Sequence, residues 1–130
     1  MKTPNKSISF SIENNEYSVL WPNNGQFIEI ESMKLALTRD TYNSMLGGNI
    51  SSQYAKYTVD MIAFLSVCCP KLKKDLNVES FSELDMLSSK KILNVYIKTI
   101  LPWITEWENL LNSLESEITT PVNSNGEQNS

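Results

Sequence analysis

The stretch ISFSIENNEYSVLW, Ile8 to Trp21, decides the fold class. Ile8, Phe10 and Ile12 alternate with Ser9, Ser11 and Glu13, and Tyr17, Val19 and Trp21 repeat the alternation beyond a polar turn at Asn14, Asn15 and Glu16. Successive side chains of a strand point to opposite faces, so a period of two predicts a β-hairpin with one apolar face. An isolated two-stranded hairpin is marginal in water, so that face must rest on something. The rest of the chain reads as helices.

Pro22, Asn23, Asn24 and Gly25 form a turn cluster that ends the second strand. Phe27, Ile30, Met33 and Leu37 then fall three or four residues apart, with Glu29, Lys34 and Arg39 free to face water, which predicts a first helix packed on the hairpin. The following segment is either a short helix capped by Asp40, running through Leu46 and stopped by Gly47 and Gly48, or a flexible loop. Ser51 or Ser52 offers the next N-cap, and Gln53 to Cys69 is apolar nearly all round before Pro70, as a central helix should be. Ser80 followed by Glu83 is a capping-box pattern opening a short helix.

Ser88 or Ser89 can cap the last helix, in which Leu93, Ile97, Ile100, Ile104, Trp107, Leu111, Leu114 and Ile118 are separated alternately by four and three residues. Pro102 removes a backbone donor and crowds the preceding turn, so a kink or restart is expected near Leu101. Residues 119–130 are polar, with Pro121 and Gly126, and read as a disordered tail. The expected fold is α+β and mainly α: an N-terminal β-hairpin packed on a small helical bundle with a long kinked C-terminal helix. Residues 8–118 form the single domain, behind a polar extension at 1–7.

The chain has 130 residues, and 41% hydrophobic content lets one domain of that size close a core. The net charge is -4 and the basic residues are scattered, apart from Lys71, Lys73 and Lys74 and the pair Lys90 and Lys91, which argues against nucleic-acid binding. The first three lysines follow an apolar segment, where cations favourably meet a helix end. With no histidine the chain lacks the commonest general base and the commonest metal ligand. Cys68 and Cys69 are adjacent, too close to bridge without strain, and read as buried reduced thiols of a cytosolic protein. Residues 1–6 hold no apolar run of a signal peptide, and Val59 to Cys69 falls short of the ~20 residues of a membrane-spanning helix.

No phosphate loop, cysteine cluster or nucleophile elbow is present, and Gly47-Gly48 lacks the strand and lysine of a phosphate site. Glu29, Glu31, Glu83, Asp85, Glu106 and Glu108 have no spacing that selects a carboxylate pair, and are expected to be solvated surface. No catalytic residue, cofactor or metal is therefore assigned, and the chain is expected not to be an enzyme. The C-terminal seam has a functional reading. Trp103 and Trp107 stand four apart with Leu110, Leu111 and Leu114 nearby, and such a face is either a contact surface for a protein partner or part of the core. The heptad-like spacing also permits pairing of two copies.

The order of these pieces resembles small tail assembly chaperones of tailed bacteriophages, most of all those of phages with Bacteroidota hosts. The resemblance lies in the hairpin Phe10 to Trp21 with its Glu16-Tyr17, in Pro22-Asn23-Asn24-Gly25-Gln26-Phe27-Ile28-Glu29-Ile30-Glu31, in Lys73-Lys74-Asp75-Leu76-Asn77-Val78, and in Leu101-Pro102-Trp103. It covers about Ser9 to Ser113. It implies a protein of the infected cell's cytoplasm that binds the tape measure protein and keeps it soluble until tail tube subunits surround it, and it assigns no catalytic residue. A minor structural component of the virion and a small regulatory adaptor are the alternatives.

Overall fold

A computed structural model describes residues 3–45 and 50–119. The fold is α+β and mainly α, an antiparallel hairpin against a helical bundle. Strands β1 (Ser7–Ile12) and β2 (Asn15–Leu20) pair Ile8 with Val19 and Phe10 with Tyr17. The turn is Glu13-Asn14, one residue earlier than the polar cluster suggests, and both residues have positive φ, 49° and 70°. That conformation gives a two-residue turn the twist its strands require. Phe10, Ile12, Tyr17 and Val19 are buried on one face and their neighbours are exposed, as a half-covered hairpin demands.

Helix α1 (Asn24–Thr38) begins at a capping box. The Asn23 side chain accepts from the Gln26 N–H at 2.9 Å, and the Gln26 side chain accepts from the Asn23 N–H at 3.0 Å. The helix ends on left-handed Arg39 and Asp40, with the Asp40 N–H bonded to the Leu35 carbonyl at 2.9 Å. Contrary to expectation, α1 lies mainly along α2 (Ile50–Cys68) rather than on the hairpin. Asp40 makes no capping hydrogen bond among the described residues, and a 3-10 turn at Tyr42–Met45 follows. Leu46, Gly47 and Gly48 lie outside the described residues.

Helix α2 is the central element. Met61, Ile62, Ala63, Phe64 and Leu65 are consecutive and all buried, so the helix is enclosed on every side there. It starts at Ile50, placing Ser51 and Ser52 within the helix rather than at its cap. Cys69 breaks it, and Pro70 opens α3 (Pro70–Asp75) at the position where a missing N–H is harmless. The Tyr17 hydroxyl donates to Asp75 Oδ2 at 2.9 Å and ties the hairpin to α3. Lys71 Nζ reaches the same oxygen at 3.1 Å. Ser80 accepts from the Ser82 N–H and starts only the 3-10 turn Phe81–Glu83, not an α-helical capping box.

Asp85, not Ser88 or Ser89, caps the last helix, its carboxylate accepting from the Ser88 N–H at 2.8 Å. Helix α4 (Met86–Val95) passes into a π-turn at Tyr96–Ile100 and then into α5 (Leu101–Thr119). The disruption expected at Pro102 is this widened turn, in which the Leu101 N–H bonds to the Tyr96 carbonyl. A regular turn would press the proline ring on the Lys98 carbonyl and leave that carbonyl without its donor. The buried stripe consequently runs through Leu93, Tyr96, Ile100, Trp103 and Trp107, while Ile97 and Ile104 are only half-buried. The expected tail begins inside α5 at Thr119, and residues 120–130 lie outside the described residues. Residues of the expected N-terminal extension are drawn into the fold. The Asn5 carbonyl accepts from both indole N–H groups, Trp103 at 2.7 Å and Trp107 at 2.9 Å, and the Trp21 N–H donates to the Lys6 carbonyl at 2.8 Å.

A candidate protein-binding cleft

Of the residues expected to meet a partner, Trp103 and Trp107 turn inward. They are 4% and 8% exposed, and Trp21 stacks on Trp107 at 5.0 Å and meets Trp103 edge-on at 5.5 Å. Of the two alternatives left open for this pair the structure shows packing, because the N-terminal segment supplies the acceptor that lets two indoles be buried. Leu110 is half-buried against the core. Leu111 and Leu114 remain exposed.

Apolar surface is left uncovered, but not on α5 alone. Only Ile30 and Thr38 of α1 are buried, while Phe27, Ile28, Leu35 and Leu37 are exposed. The apolar residues of α1 surround the helix instead of forming a stripe, so one neighbour cannot cover them. A count of its apolar positions, too many for one face, was the available signal.

Phe27 of α1 and Leu111 of α5 stand on the same cleft, a hollow of about 170 Å³ walled by Trp21, Ile30, Phe64, Leu101 and Ile104. Its polar side is built around Asp60, which α2 carries into the interior at 7% exposure. Tyr42 donates to Asp60 Oδ1 at 2.6 Å, Lys56 lies 3.0 Å from Oδ2, and Lys34 lies 3.7 Å from Oδ1 and 2.9 Å from Glu31. Lys34 also sits 5.3 Å above the Tyr42 ring centre. A buried carboxylate is tolerated only when paired in this way. Burial first, and then the bond to Asp60, hold the Tyr42 hydroxyl far above its ordinary pKa.

Two further groups were not legible in the sequence. Tyr96 is 3% exposed and lines the cleft, and its hydroxyl has no hydrogen-bond partner among the described residues. Burial first, and then the negative charges of Asp60 and Glu108, raise its pKa. Glu108, also on the cleft, is exposed and makes no ion pair among the described residues. The lining holds Glu31, Asp60 and Glu108 against Lys34 and Lys56, one negative charge in excess.

A second hollow, about 290 Å³, lies beside Gln53, Tyr54, Tyr57 and Ile97, none of which carries a charge. Both cysteines are free, and burial pushes the Cys68 thiol up to about 11 and the Cys69 thiol upward also, so neither is a ready nucleophile at neutral pH. Among the described residues no cluster of three or more His, Cys, Asp or Glu side chains could hold a metal, and no helix is long and apolar enough to cross a membrane. Comparison with family models, characterised proteins and solved structures finds no match to this chain.

Proposed function

We propose that this chain is a binding protein without catalytic chemistry of its own, which covers apolar helical segments of a partner protein. The observation that carries this reading is the cleft between α1 and α5, with Phe27, Leu111 and Leu114 exposed at it and beside it. Leu111 and Leu114 stand three apart on one helix, the spacing at which a second helix inserts its own side chains. Exposed apolar area of this kind on a small domain calls for a cover. The resemblance to tail assembly chaperones supplies the partner: the tape measure protein of a tailed phage, a long helical client whose apolar stripes aggregate unless something covers them reversibly.

Co-expression with the tape measure protein of the same genome tests the reading. The expected result is a larger soluble fraction of the client and a complex that survives size exclusion. Unchanged client solubility with no complex overturns it. Stoichiometric recovery of this chain from purified particles moves the assignment to a structural component of the virion.

A further inference from the structure

We infer that the cleft receives the side chain of an arginine or lysine carried by the client helix, with that residue's apolar neighbours covering Phe27, Leu111 and Leu114. This rests on the proposed binding of a helical client and adds what the client must present. The walls are apolar, while the Tyr96 hydroxyl is buried without a partner and Glu108 is a carboxylate with no ion pair among the described residues. A purely apolar anchor would strip water from the exposed Glu108 carboxylate and leave the buried Tyr96 hydroxyl still without a partner, which is unfavourable. An acidic anchor would add negative charge to a lining that already carries one in excess, with both lysines held by Asp60 and Glu31. A long basic side chain matches both halves, its methylene stem lying on the walls and its head donating to Tyr96 Oη and the Glu108 carboxylate. Lys34 and Lys56 do not close the cleft to a cation, because Asp60 and Glu31 already hold them. The hollow of about 170 Å³ is of the size that accommodates a single large side chain.

The test uses three amphipathic helical peptides identical except at the central residue, which is arginine, norleucine or glutamate, titrated into the full chain at low salt by calorimetry. The arginine peptide is expected to bind about tenfold tighter than the norleucine peptide, and the glutamate peptide weakest, since charge-assisted hydrogen bonds are the stronger ones. Glu108→Gln and Tyr96→Phe should each remove most of that preference. Glu108 is exposed, so E108Q decides the question if Tyr96→Phe fails to fold. Equal or tighter binding of norleucine, no binding of any peptide, or an arginine preference that survives E108Q overturns the inference. None of these touches the client-binding proposal, which co-expression decides separately.

Discussion

Removing residues 1–6 should destabilise the fold although the segment is short and mostly polar. Three donors lose their acceptors: the indole N–H groups of Trp103 and Trp107, bonded to Asn5 at 2.7 and 2.9 Å, and the Trp21 N–H, bonded to Lys6 at 2.8 Å. Each intramolecular hydrogen bond contributes about 0.5–1.5 kcal/mol net. The freed donors regain some contact with water and a few residues regain backbone freedom, which offsets part of the loss. A destabilisation of about 2–3 kcal/mol is expected, lowering Tm by roughly 10 °C for a domain of this size. Urea unfolding followed by tryptophan fluorescence measures it, and the near-ultraviolet circular dichroism of the stacked Trp21 and Trp107 should weaken in the folded baseline. Asn5→Ala is the control. The acceptor is a backbone carbonyl, so that substitution should stay within about 0.5 kcal/mol of the parent. A truncated chain as stable as the full one, or an Asn5→Ala variant as unstable as the truncation, refutes the reasoning.

Asp60→Ala leaves Lys34, Lys56 and the Tyr42 hydroxyl without their shared partner and should destabilise by about 2–4 kcal/mol in urea unfolding, whereas Asp60→Asn, which still accepts from Tyr42, should lose less. At alkaline pH the tyrosines act together with the two cysteine thiols, which burial raises in the same direction. Burial and Asp75 push Tyr17 up to about 12, and Tyr42 and Tyr96 are raised as well, so above their ordinary value of about 10 the unfolded chain releases protons that the folded chain keeps. Their contribution is complete below pH 10 and lost as pH rises through the folded values, and a urea midpoint unchanged between pH 9 and 11 would contradict this. Phe81→Ala should destabilise by about 3–5 kcal/mol, since Phe81 is 1% exposed and the cavity it leaves cannot collapse fully, while Phe81→Leu should recover more than half of that loss in the same assay.

The hairpin was readable because its signal is local. Alternation from Ile8 to Val19 dictates the buried face, and the register follows once a two-residue turn joins the strands. The central helix was readable for a related reason, since an apolar run the length of Val59–Cys69 has no soluble surface to offer. The helix starts were less secure. Asn23 with Gln26 is a capping box that the turn-rich Pro22–Gly25 cluster disguised, and Asp85 competed with Ser88 and Ser89 as equally good cap residues.

The cleft was only partly legible. Leu111 and Leu114 are exposed while Trp103 and Trp107 are buried, yet the spacing that groups the four serves packing and binding equally well. The choice fell to Asn5, whose carbonyl stands 98 and 102 residues away in the chain. Asp60 similarly reads as a flaw in an apolar run until Tyr42, Lys34 and Lys56 gather round it.

What the amino-acid order determined by itself was therefore the set of elements and their apolar faces, because side-chain periodicity and capping act within a few residues. Which of those faces is covered, and which buried polar groups find partners, was decided by tertiary contact alone. α1 against α2, the N-terminal segment against α5 and the closure of the cleft around Tyr96 join positions whose separation along the chain carries no local signal.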